Sequence, residues 1–254
     1  MISFRSSFAL PHENDCKQVV LRTPRDYDGP IAAAPRQGEL RRVRERELVT
    51  ATRALFDERG AQIAPVEEIA KSVGIARGLI YRHFSSKEEL YVLTVTDYLD
   101  ELDEVLTTAL SAEADADPIV RLEHWARAYA GFCQRYPAFL DCALSLMHRP
   151  ARDLRAIVSE SVWFRLGQGI GRCVEHVAAI LRDGAATGAF ATERPDYLAN
   201  VLWTQTLGVM HLARIRVGIR HATPTVPELF PVAPEEVIET CVQIARAAAT
   251  AGAR

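Results

Sequence analysis

Beyond residue 37, apolar positions recur every three to four residues and strand-like alternation is rare, a pattern that predicts an all-α chain. A first helix runs from Leu40 to Arg59 on a stripe of Leu48, Ala51, Thr52, Leu55 and Phe56, and Gly60 ends it. Between Pro65 and Phe84 lie two short helices with one break. Val66, Ile69, Ala70 and Val73 give the first its inward face, with Pro65 in its opening turn, where a missing N–H costs nothing. Gly74 stands where that helix must stop with positive φ. Ile75, Ile80 and Phe84 then form the inward face of the second. Ser86-x-x-Glu89 is a capping-box pattern, opening a fourth helix through Leu90, Leu93, Val95, Tyr98, Leu102 and Leu106 to about Leu110.

After a polar linker at 112–118, helices are predicted for Pro118–Arg135, Pro137–Met147, Ala151–Asp183 and Pro195–Gly218. The third of these is broken near Gly167–Gly171, and Gly184 and Gly188 close a turn after Leu181. Pro224, Pro227, Pro231 and Pro234 predict a proline-rich loop, and a last helix runs from Pro234 to Thr250. Residues 1–37 lack periodicity and hold Pro11, Pro24, Pro30 and Pro35. They read as a mobile extension, or as an arm whose Arg22, Arg25 and Arg36 reach a DNA minor groove.

Charge is informative locally. The chain carries 30 Lys/Arg against 33 Asp/Glu, a net −3, so it is no basic coat for nucleic acid. From Lys71 to Lys87, however, there are four Lys/Arg, one His and no acid. With Ile75, Ile80 and Phe84 turned inward, the second short helix keeps Arg77, Gly78, Leu79, Tyr81, Arg82 and His83 for its outer surface. Cations, a phenol and an imidazole on a short exposed helix suit a phosphate backbone and a major groove. The segment 65–84 therefore reads as a DNA-binding helix-turn-helix. A plain amphipathic helical hairpin would share the apolar spacing but rarely the acid-free basic run.

Phe56-x-x-x-Gly60, Ile69-Ala70-x-x-x-Gly74-Ile75, Gly78-x-x-Tyr81-x-His83-Phe84 and Ser86-Lys87-Glu88-x-Leu90 resemble the TetR (tetracycline-repressor-like) family of transcriptional regulators. The resemblance covers about fifty residues and implies a three-helix DNA-binding domain at 38–90, joined to a helical ligand-binding and dimerisation domain at 91–254. It further implies that Tyr81, His83 and Lys87 contact phosphates. Gly78 lets the helix backbone approach the duplex closely, and Leu79 suits a thymine methyl. Arg77 suits either a bidentate bond to guanine, worth about 1–3 kcal/mol of discrimination, or a phosphate. Three positions depart from the family pattern: Ala64-Pro65 replaces a Thr-rich opening, Ala76 replaces a capping Ser, and Leu79 replaces Thr. Losing a cap costs about 1 kcal/mol.

One short recognition helix reads only a few base pairs, so a homodimer on a near-palindromic double-stranded operator is expected. The resemblance, together with bundle-like spacing, puts the dimer seam on Gly169–Arg182 and Tyr197–Ile215, with Leu198, Leu202, Gln205, Val209 and Leu212 along it; the same stripe is alternatively internal core. Candidate contacts for an apolar small-molecule effector are Trp125, Tyr129, Phe132, Met147, Trp163, His176, Trp203 and Met210, each with core packing as the competing role. Ligand release of a DNA-bound repressor is the expected mechanism.

Five cysteines without C-x-x-C or Cys/His ligand spacing favour reduced thiols over disulfides or zinc, with a redox-sensing thiol as the alternative. No metal or cofactor is expected. No apolar run reaches about 18 residues and no secretory signal is visible, so no membrane span and a cytoplasmic location are expected. The competing readings are a helical protein-interaction module with a vestigial helix-turn-helix and an all-α enzyme. For the enzyme the chain offers no G-x-S-x-G, H-E-x-x-H or Walker pattern.

Overall fold

Ten helices and one β-hairpin make up the described part of this computed structural model, which covers residues 35–59, 65–148, 150–223 and 226–251. In chain order they are α1 (Pro35–Arg59), α2 (Val66–Ser72), α3 (Arg77–His83), α4 (Lys87–Ser111), α5 (Pro118–Arg135) and α6 (Pro137–Met147). Then follow α7 (Ala151–Ile157), α8 (Glu160–Thr187), α9 (Pro195–Ile215), β1 (Val217–Thr223), β2 (Val226–Pro231) and α10 (Pro234–Thr250). The expectations for residues 1–34, for Gly60 and Ala64, and for Pro224 lie outside the described residues.

The all-α architecture follows from the apolar periodicity. α4 runs through the middle, packing on α1 at one end and on α5 and α8 along its length, while α9 and α10 close the far side. Its buried face, Leu90, Val92, Val95, Leu99, Leu102 and Leu106, continues the core formed by Leu48, Phe56, Ile80 and Phe84 under the first three helices. Helix starts use the residues at hand. Asp117 accepts the Ile119 N–H at 2.8 Å ahead of Pro118, and Ser86 Oγ accepts the Glu89 N–H at 3.0 Å.

Besides the start of α1, which falls at Pro35 and not at Leu40 and so takes residues 35–37 from the expected extension, four details differ from the sequence pattern. First, α8 passes unbroken through its glycines, and the interruption falls earlier, at Val158–Ser159. Packing on both sides outweighs the glycine penalty, and Gly169 is needed for approach: a Cβ there would lie 3.2 Å from Leu99 Cδ1. Second, Gly184 lies inside α8, where a Cβ would fall 2.1 Å from the Phe190 ring; Gly188, at φ 78°, ends the helix. Third, Pro65 is the residue preceding α2, extended at ψ 149°, and not part of its first turn.

Fourth, the expected proline-rich loop is an antiparallel hairpin, and α9 stops at Ile215 and not near Gly218. Both strands of a two-stranded ribbon are edges, so Pro227 and Pro231 break no ladder that a central strand would need. Arg216, left-handed at φ 58°, turns the chain from α9 straight into β1.

Candidate nucleic-acid interface and ligand cavity

Gly74 closes α2 by a pair of backbone bonds. The Ile75 N–H reaches Ala70 O at 2.9 Å and the Gly74 N–H reaches Lys71 O at 3.1 Å, with Gly74 at φ 70°. The chain then re-enters helix at Arg77 without a side-chain cap, because Ala76 has no oxygen to offer. Packing replaces the cap: Ile80 and Phe84 are buried and anchor α3 on the core. This orientation leaves Arg77, Gly78, Tyr81, Arg82 and Lys87 exposed, with Leu79 and His83 half-buried. His83 Nδ1 is covered and unpartnered. Arg77 Nη1 lies 2.7 Å from Glu67 Oε1 of α2, and its guanidinium sits 5.9 Å from the Tyr81 ring centroid. All seven sequence-chosen DNA residues thus lie on α3 or at the first residue of α4, and nothing beside Gly78 would obstruct a backbone approaching it.

The junction of α3 and α4 is bonded to the junction of α7 and α8. Ser86 Oγ donates to Ile157 O at 3.0 Å. Glu89 is 6% exposed, and its carboxylate accepts from the Ser85 N–H at 2.5 Å, from Ser85 Oγ and from Ser159 Oγ. The capping box is therefore half realised: Ser86 caps, but Glu89 reaches one residue further back and across to another helix. Ser159 immediately precedes α8 without capping it, since its hydroxyl is directed to Glu89. Burial pushes the Glu89 carboxyl up, yet the bonds from Ser159 and Ser85 prevail and hold it below its ordinary value.

A second tie joins α1 to the body. The Arg53 guanidinium lies 4.1 Å from the Tyr98 ring centroid and 5.1 Å from that of Tyr136, and it pairs with Asp97 at 2.8 Å and with Glu101. Tyr98 and Tyr136 donate their hydroxyls to Asp57 and Glu101, both at 2.6 Å.

An apolar cavity of about 190 Å³ lies between α4, α6, α7, α8 and α9. Trp163, Trp203, Phe139, Leu99, Leu154 and Met147 are among its walls, and Met147, 47% exposed, marks its outer side. Three sequence-chosen ligand residues meet there: Met147, Trp163 and Trp203. The other five do not line it. Trp125, Tyr129 and Phe132 are buried core. His176 Nε2 is bonded to Asp103 Oδ1 at 2.7 Å, and Met210 lines a smaller cleft of about 80 Å³ beside Cys133 and Arg214. Sequence reasoning missed Leu99, Phe139 and Leu154; the i, i+3, i+7 run Trp163–Leu166–Ile170, all on the cavity wall, was a signal for the α8 side. A larger groove, about 550 Å³, lies between α1, α4 and α8 and is walled by charge, including Arg42, Arg46, Arg165, Asp97 and Asp100.

The proposed dimer stripe divides. Leu202 is core, and Leu198, Gln205 and Val209 are half-buried, because α10 packs against that side of α9. Of the five, only Leu212 is on the solvent face, where Asp196, Tyr197, Asn200, Thr204, Gly208, His211, Arg214 and Ile215 are exposed beside it. Burial raises the thiols of Cys142 and Cys173 to about 12 and that of Cys241 to about 11, and it raises Cys133 as well. Among the described residues no helix is long and apolar enough to cross a membrane, and no His/Cys/Asp/Glu group is placed to hold a metal ion.

The arrangement of α2 and α3 is that of a helix-turn-helix. Residues 48–93 match the sequence profile of bacterial regulatory proteins of the tetR family. The chain is 29% identical over 113 residues to the HTH-type transcriptional regulator HbdR of Aromatoleum sp. (strain CIB), covering 44% of this chain and 47% of that one. It is 38% identical over 72 residues to the HTH-type transcriptional repressor KstR2 of Mycolicibacterium smegmatis, covering 27% and 35%. The chain thus spans less than half the length of these curated relatives. The fold is shared over a longer stretch: the crystal structure of RolR in complex with the ligand resorcinol superposes with a TM-score of 0.56 at 16% identity, covering 84% of this chain and 95% of that one. Residues 48–93 thus resemble the TetR family of transcriptional regulators in sequence, and the likeness to solved structures extends the shared fold over most of the chain.

Proposed function

We propose that the protein is a dimeric transcriptional repressor that binds a near-palindromic operator in the cytoplasm and leaves it when a small apolar molecule enters the cavity. The observation that carries the reading is α3: an uncapped, acid-free helix anchored from below by Ile80 and Phe84, with its cations, Tyr81 and Gly78 turned to solvent. Tyr81, His83 and Lys87 hold phosphates, and Arg77 exchanges Glu67 for a base edge or a phosphate. The repressor role is drawn from the name of the KstR2 relative.

The cavity fits a compact, uncharged effector, aromatic or hydrocarbon, because its walls offer almost no charge to pair with. That resorcinol binds a protein of this fold is consistent with the size. Leu154 on α7 and Trp163 on α8 flank the Val158–Ser159 break, and this break is bonded to Ser86 and Glu89 at the foot of the recognition helix. A ligand that moves these walls moves α3, and operator affinity falls as the population shifts. The test is binding of the purified protein to DNA flanking its own gene across a salt series. A steep negative slope of affinity against salt is expected; no binding even in dilute buffer overturns the reading.

A further inference from the structure

The β1–β2 hairpin has two unlike faces. On one, Phe230 folds over Gly218, where a Cβ would meet its ring at 2.3 Å, and Arg220 pairs with Glu228 at 3.0 Å while lying 5.8 Å from the same ring. That face satisfies itself. The other carries Val217, Ile219, Leu229 and Pro231, with Ile219 and Leu229 directly opposite each other and 72% and 67% exposed. Of the exposed large apolar residues among those described, the densest run along the chain is here and on the adjoining end of α9: Leu212, Ile215, Val217, Ile219, Val226 and Leu229. Isolated two-stranded ribbons are marginal in water, and a contiguous apolar patch on one normally has a partner.

Position identifies the partner. Arg216 joins α9 to β1 without a linker, and the Val232 N–H bonds Arg216 O at 3.0 Å, so the base of the hairpin is fixed to the helix end. The hairpin therefore extends the exposed side of α9, where Tyr197 stands near one end and Leu212 and Ile215 near the other, with Thr204 and Gly208 between them and the polar Asn200 and His211 alongside. A Cβ at Gly208 would touch nothing, so that middle is open to another helix. About a two-fold axis perpendicular to the helix, two such sides run antiparallel and cross near Thr204 and Gly208. The C-terminal end of one then lies beside the N-terminal end of the other, where Tyr197 is 59% exposed.

We propose that the Ile219/Leu229 face of the hairpin is an arm of the subunit interface, docking on a second copy of this chain around Tyr197 of the partner subunit. This rests on the dimer reading given above and adds to it a contact that the helices alone would not supply. The arm gives the dimer a clasp at each end of the α9 pair, with four apolar side chains leaving water together.

Two measurements on the full chain test it. The I219D/L229K variant keeps a cross-strand pair of opposite charge, so the ribbon itself is retained. Sedimentation equilibrium should show its dimer dissociation constant raised about a hundredfold or more over that of the unmodified protein. Separately, Y197C/L229C should form a disulfide-linked dimer under mild oxidation, whereas L229C alone and the unmodified protein should not. An unmodified dimer whose association is unchanged by I219D/L229K overturns the arm but leaves the α9 seam standing. Crosslinking by L229C alone also overturns it, because the hairpins would then meet each other. An unmodified protein that stays monomeric at every concentration removes the dimer reading and the arm together.

Discussion

The indole of Trp203 lies flat on the ring of Tyr129, with centroids 4.3 Å apart and planes 8° from parallel. Trp203 also fronts the apolar cavity, so this stack is the wall between cavity and core. Tyr129 supports the wall from behind and has no face toward the cavity.

Filling the cavity from Ala143, which lines it, should separate its two consequences. Ala143→Leu is expected to leave operator affinity within about threefold of the original while abolishing release by any effector that works on the unmodified protein. Trp203→Ala, by contrast, removes the stack and should cost about 3–5 kcal/mol of stability. Thermal unfolding and an operator-release titration check both. An Ala143→Leu protein that still responds would place the effector elsewhere.

Lys87 and Arg77 should fail differently. Replacing Lys87 by Ala is expected to weaken binding to all duplexes alike and to reduce the slope of log affinity against log salt by about 1. Arg77→Ala should cost about 1–3 kcal/mol of discrimination at one operator position if it reads a base. Fluorescence anisotropy over a panel of singly substituted operators distinguishes the two. Because Glu67 holds Arg77 in the free protein, Glu67→Gln is expected to raise affinity for any duplex.

Removing the Ser159 hydroxyl takes one donor from the buried Glu89 carboxylate. Ser159→Ala should lower stability by about 1–3 kcal/mol, and it should shift the effector concentration needed for DNA release while ligand affinity itself stays. An unaltered release curve would show that the α7–α8 break does not carry the signal.

Acid should loosen the same region. Burial works against ionised Glu89 and Glu101, but hydrogen bonds from Ser159 and Ser85, and from Tyr136 and Arg53, bring both below the ordinary carboxylate value. A lowered folded value means that the stabilisation is complete at neutral pH and is lost as pH falls through that value. Unfolding midpoints followed from pH 7 to pH 3 should decline below about pH 4.5, and less so in Glu89→Gln.

The four described thiols should resist oxidation. Burial holds each mainly protonated at pH 8, which leaves little thiolate to react. Alkylation of the folded protein should spare Cys133, Cys142, Cys173 and Cys241, and diamide should not change operator binding through them.

The outward surface of α3 was legible in the sequence because three side chains, Ile75, Ile80 and Phe84, fix which way a seven-residue helix turns. The cavity was not. Trp125, Tyr129 and Trp203 share helical spacing and aromatic chemistry, and only the packing of α4, α6 and α8 decides which of them borders empty space. The stripe chosen on α9 was not free as the spacing suggested, because α10, arriving from the C-terminus, packs against its Leu202–Gln205–Val209 side. The hairpin was missed because prolines normally signal loops, and a ribbon made only of edges tolerates them. The α7–α8 break at Val158–Ser159 carries no glycine or proline; what marks it is a bond to Glu89 seventy residues away in sequence.

α4 carries Lys87 at its foot and Leu99, a cavity wall, three turns higher, with Arg53 clamped across its flank at Tyr98. The helix is thus one continuous rod between the two places: a displacement against Leu99 or Val95 is returned at Lys87 as a tilt about the Arg53 clamp, without any residue in between changing its own conformation. Which compound presses on the cavity wall can then drift over evolutionary time while the surface at the foot of the rod stays the same.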